Sequence, residues 1–125
     1  MQYICDTNVI VRYLFADDKN MFNQTKEMFE QVKTGHITLI IEHTVFTDVI
    51  FVLSSVYKIS LNKISSTLSD LLAYKGVHCE KEYYLNALEY YTKCNIHTVG
   101  ILLAKAKYLS MPLLTFDQKL LECSQ

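Results

Sequence analysis

The chain is poor in backbone punctuation: 125 residues contain one proline and three glycines, and no Pro/Gly/Ser-rich stretch divides them, so one globular domain over residues 1–125 is expected. Long apolar runs are missing too. Segments such as Val49 to Leu53 fall far short of the roughly 20 residues a membrane span requires. The N-terminus lacks the basic start, apolar stretch and small-residue cleavage site of a secretory leader, and a cytoplasmic location without membrane contact is expected. The four cysteines, Cys5, Cys79, Cys94 and Cys123, form no C-x-x-C pair. Free thiols in a reducing compartment are therefore expected rather than disulfides or a zinc site. A basic excess is also absent: the formal net charge is -1, which argues against nonspecific binding of nucleic acid through an overall positive field. No internal repeat or low-complexity segment occurs. There is no G-x-x-x-x-G-K-[ST] loop, no G-x-G-x-x-G and no G-x-S-x-G turn, leaving nucleotide-binding and serine-hydrolase classes without support.

Short apolar or β-branched runs at Tyr3 to Cys5, Thr38 to Ile41 and Leu113 to Phe116 read as buried strands, with Gly76 to Cys79 a weaker fourth. Helical spacing spans Lys19 to Lys33, Thr44 to Tyr57, Leu61 to Tyr74, Lys81 to Lys93 and Thr98 to Leu109, with Gly35 and Gly76 just beyond the first and third of these. Alternation of this kind predicts an α/β fold with a parallel sheet covered on both faces.

In open α/β sheets the functional crevice lies beyond the carboxyl ends of the strands. Asp6 and Asp117 each follow a predicted strand and can meet if those strands are neighbours, although Asp also suits a turn or a helix cap there. In HTVFTDVIFVLSSVY, Val45, Val49, Val52 and Val56 recur at helical spacing, and at about 100° per residue Asp48 falls just outside that stripe. Glu42 ends the second predicted strand. Clustered carboxylates repel one another unless a cation lies among them. Oxygen ligands without a Cys/His set suit Mg²⁺ or Mn²⁺, ions able to assist hydrolysis of a phosphodiester.

Three blocks, DTNVIVRYL at 6–14, LIIEHTVFTDVIFVL at 39–53 and LLTFDQKL at 113–120, resemble in order and spacing those of PIN-domain proteins, especially VapC-like toxins of toxin–antitoxin modules. The resemblance runs along nearly the whole chain. It implies a PIN-like α/β fold with a central parallel sheet of four to five strands, and Mg²⁺- or Mn²⁺-dependent endoribonuclease activity on RNA. A homodimer and neutralisation by an antitoxin protein are further implications. By position, Asp6 matches the family's first acid, Asp117 its last, and Asp48 falls where the family usually has Glu. A further family acid, about eighteen residues before the last, has no counterpart: counting back from Asp117 reaches Val99. Asn95, His97 and Thr98 are the nearby side chains able to substitute.

Around these acids, Thr7 and Asn8 suit either positioning of Asp6 or a strand-to-helix turn, and Thr115 suits contact with water or phosphate. Arg12, the only arginine, suits a phosphate or a salt bridge. Tyr83, Tyr84, Tyr90 and Tyr91 offer rings for base stacking, but their helical setting favours core packing. The apolar stripes of Met21 to Val32 and Leu61 to Tyr74 suit the domain's own core, a dimer or an antitoxin groove. Asp17 and Asp18 suit the start of the helix that follows. The alternative to a nuclease is a catalytically silent module that binds RNA or a protein without cleavage.

Overall fold

A computed structural model describes residues 1–15, 19–95 and 100–124. Asp17, Asp18, His97, Thr98 and Val99 lie outside the described residues. In chain order the elements are β1 (Gln2–Ile4), α1 (Thr7–Leu14), α2 (Lys19–Thr34), β2 (Thr38–Ile40), α3 (His43–Phe51), α4 (Leu61–Leu72), β3 (Val77–His78), α5 (Lys81–Cys94), α6 (Gly100–Tyr108) and α7 (Gln118–Cys123). A π-helical stretch, Val52–Val56, prolongs α3.

This overturns the expected architecture. The chain is mostly helical, and among the described residues its sheet has three short parallel strands in the order β1-β2-β3, not the four to five of a PIN-like α/β sheet. Gln2 pairs with Thr38, Ile4 with Ile40, and Ile40 in turn with His78. The Leu113 to Phe116 run, predicted as a strand, joins no ladder: Leu114 and Phe116 are 93% and 98% exposed. Pro112 just ahead of it has no N–H to donate, and Ser110 turns the chain with a φ of 55°. Apolar alternation marks a segment able to pair, while pairing itself needs an edge in register.

Helix positions follow the periodicity more closely. The α2 helix stops where Gly35 takes a φ of 87°, a left-handed conformation that glycine adopts without a Cβ penalty. Gly76 has a different reason to be glycine: its N–H donates to the Val32 carbonyl at 2.7 Å, and a Cβ there would stand 2.0 Å from the Ile37 oxygen. The predicted Thr44 to Tyr57 helix is α3 plus its π-helical end, where the Tyr57 N–H reaches back five residues to the Val52 carbonyl. The α1 and α7 helices were not anticipated from periodicity.

The core lies between the helices and one face of the sheet. Leu39 of β2 faces it, with Phe29 and Val32 from α2, Phe46, Val49 and Ile50 from α3, Leu68 and Leu71 from α4, and Leu88 and Tyr91 from α5. Tyr83, Tyr84 and Tyr91 are buried, so their rings serve packing. Tyr84 stacks on Phe46 with centroids 4.2 Å apart, and its hydroxyl donates to the Ile41 carbonyl at 3.0 Å. The thiol expectation also needs correction, because Cys94 and Cys123 form a disulfide while Cys5 and Cys79 are free. The two partners are 29 residues apart, and a bond set by folding leaves no short-range spacing to read. No helix among the described residues is long and apolar enough to cross a membrane.

Candidate functional site

The β1 strand ends at Ile4, and Cys5 N–H continues its ladder by donating to the Ile40 carbonyl at 3.0 Å. The chain then turns directly into α1. Asp6 makes that turn in extended conformation as the N-cap, with Oδ1 accepting from the Thr7 N–H at 2.8 Å. Such a cap satisfies one of the helix's unpaired donors and fixes the carboxylate at the carboxyl end of β1. Thr7 beneath it is buried.

The second carboxylate comes from α3. Phe46, Val49 and Ile50 form its buried face, which is displaced from the valine stripe read from sequence and leaves Asp48 exposed. The opposite side of the helix carries Thr44, Thr47, Asp48 and Phe51. Together with Asp6 and Thr7 these residues line one open cavity of about 500 Å³. Among the described residues the Asp48 carboxylate has no hydrogen bond or ion pair. Among the described residues Asp6 Oδ1 is engaged only by the Thr7 N–H. The Thr47 hydroxyl donates to the His43 and Thr44 carbonyls at 3.3 and 3.1 Å, leaving its oxygen lone pairs available to a ligand.

Among the described residues every polar side chain on this cavity presents oxygen, and no basic residue lines it. That set fits a hard divalent cation, since Mg²⁺ is commonly held by one or two carboxylates with water and substrate phosphate completing its shell. Among the described residues no group of three His, Cys, Asp or Glu side chains is placed to hold a metal, and two carboxylates, Asp6 and Asp48, line this cavity. Asp117 stands apart from the cavity as the exposed N-cap of α7: its Oδ1 accepts from the Leu120 N–H at 3.1 Å. Thr115 accepts from the Asp117 N–H at 3.0 Å, which ties it to the same turn.

The remaining sequence candidates are dispersed. Asn8 and Arg12 are exposed on α1 and do not line the cavity. Arg12 forms no ion pair among the described residues and sits in the last turn of α1, where positive charge complements the helix dipole. Asn95 closes α5 with a φ of 52°, a helix-ending role open to Asn. Glu42 belongs to a different cavity, of about 570 Å³, beyond the ends of β2 and β3, with His43, His78, Cys79 and Glu80. Burial pushes the Cys79 thiol up to about 11, which keeps it protonated and unreactive near neutral pH. Thr44 and Thr47, which sequence reasoning did not single out, share the cavity with Asp48 because Thr44 lies one turn before it and Thr47 stands three residues after Thr44 and four before Phe51 on the same helical side. Their helical spacing was the available signal.

No protein-family model, curated protein or solved structure matches this chain.

Proposed function

We propose that this protein is a divalent-cation-dependent endoribonuclease, acting as the toxin of a toxin–antitoxin pair and using the cavity shared by Asp6 and Asp48. The observation that carries the reading is their convergence: carboxylates 42 positions apart, one capping α1 and one on α3, line the same cavity, whose polar side chains among the described residues all present oxygen. The resemblance of DTNVIVRYL, LIIEHTVFTDVIFVL and LLTFDQKL to PIN-domain toxins supplies the reaction class, an antitoxin partner and a homodimer. In this reading Asp6 and Asp48 hold Mg²⁺ or Mn²⁺, Thr7 and Thr44 shape the pocket around them, and Thr47 offers a further oxygen. The bound ion would lower the pKa of water and offset negative charge developing on the phosphodiester. The side chains contribute the negative charge that would hold the ion, and the cap to the Thr7 N–H positions the Asp6 carboxylate.

The test is cleavage of a mixed structured RNA by purified protein in Mg²⁺, Mn²⁺ or EDTA, beside Asp6→Asn and Asp48→Asn. Cleavage that requires the cation and falls by more than about 100-fold in either variant supports the reading, since even outer-shell changes at metal sites cost about 10–100-fold. Cleavage undiminished in both variants places the activity elsewhere. Absence of cleavage by folded, partner-free protein favours the silent binding module.

A further inference from the structure

The cavity has one wall that metal chemistry does not use. Phe51 lies three residues after Asp48, one turn along the same side of α3, and lines the cavity with both carboxylates. Its side chain is 49% exposed. Tyr13, Phe22, Phe29, Phe46, Tyr74 and Tyr84 all engage in ring pairs, while Phe51 has none among the described residues. About half of Phe51's surface is therefore left to a ligand or to water.

Charge narrows what that ligand gains from the ring. The protein's formal net charge is -1, and among the described residues no lysine or arginine lines the cavity. A nucleic-acid strand entering it receives little of the counterion-release energy that normally dominates such binding. Contact with the bases has to supply the difference, and an aromatic face does so for any base, because each has a π-face of its own. Bases already stacked in a duplex are not free to use it.

Building on the ribonuclease reading, we propose that Phe51 is the base-stacking platform of the Asp6–Asp48 site and selects single-stranded RNA. The ring stacks an unpaired base one helical turn from the carboxylate that faces the phosphodiester. Phe51 is thus a specificity residue that acts on binding.

Fluorescence anisotropy with a labelled single-stranded RNA oligomer, in EDTA so that binding is read without turnover, tests this. Phe51→Ala and Phe51→Leu are each expected to raise Kd roughly 5- to 100-fold. Phe51→Trp should restore wild-type affinity, and circular dichroism should show all three variants folded. An oligomer with abasic sites, or a duplex of the same sequence, should bind weakly and equally to wild type and Phe51→Ala. Wild-type affinity in Phe51→Ala or Phe51→Leu overturns the proposal, as does an equal loss with the abasic oligomer or wild-type protein that binds no single strand. The two readings fail separately. Ring-dependent binding without cleavage in Mg²⁺ or Mn²⁺ sinks the nuclease and leaves the platform, whereas cation-dependent cleavage with ring-independent binding does the reverse.

Discussion

Gly76 shows how tightly a single position can be constrained. Its missing Cβ lets the chain pass the Ile37 and Val32 carbonyls, which an added carbon would meet at 2.0 and 2.7 Å. Because both are backbone atoms, no side chain can rotate away, and Gly76→Ala should lower stability by about 1–3 kcal/mol, the usual range for overpacking. A lowered urea midpoint would show it, and an unchanged one would mean that the β2–β3 approach is looser than described. The free thiols offer a second check. Burial, with a smaller contribution from Asp6, pushes Cys5 up to about 11 against an ordinary 9.0, and Cys79 is raised to the same value, chiefly by burial. Iodoacetamide at pH 8 should therefore label both about 100-fold more slowly in native than in urea-unfolded protein, following the thiolate fraction. At this scale Asp6 and Asp48 were legible as candidates, one from its place after an apolar run and the other from helical spacing. The cap made by Asp117 was legible as one of two readings, because an Asp after a short apolar run suits a cap and a ligand equally well.

Among the elements, α7 rests on three ties: the Asp117 cap, the buried Leu120 and the Cys94–Cys123 disulfide to the end of α5. A cross-link closing 29 residues restricts the unfolded chain by about 3–4 kcal/mol in the loop-entropy view. Cys94→Ser with Cys123→Ser, or reduction, should lower the thermal midpoint accordingly, and no change would show that the bond contributes nothing in solution. Asp117→Asn keeps an N-cap side chain and alters a residue off the Asp6–Asp48 cavity. It should leave cleavage close to wild type, and a loss matching that of Asp6→Asn would bring Asp117 into the site. Helices were the readable elements because their periodicity extends over several turns, as in α2 and α5. Strands of two or three residues carry too few positions for such a test. The Tyr3 to Cys5 and Leu113 to Phe116 runs look alike in sequence, yet one finds β2 as a partner and the other remains exposed.

At the level of the whole molecule, a set of tyrosines packed among the helices sets an alkaline limit. Burial and the hydrogen bond to Tyr74 push Tyr13 up to about 12 from an ordinary 10.0, and burial raises Tyr84 and Tyr91 further. The folded protein then holds protons that the unfolded chain gives up. That contribution is fully present below pH 10 and is lost as the pH climbs towards 12. Urea midpoints should fall steeply across that window; a flat profile would contradict the burial of the rings. The mostly helical architecture was misjudged because alternation of strands and helices does not say how many strands will pair. The site survives that correction, since it depends on the β1–α1 turn and on α3 alone. Mn²⁺ binding followed by electron paramagnetic resonance, in wild type, Asp6→Asn, Asp48→Asn and Asp117→Asn, tests most directly whether Asp6 and Asp48 share a cation. Binding weakened at least about tenfold in the first two variants and unchanged in the third is the expected result. Wild-type affinity in Asp6→Asn and Asp48→Asn would contradict it.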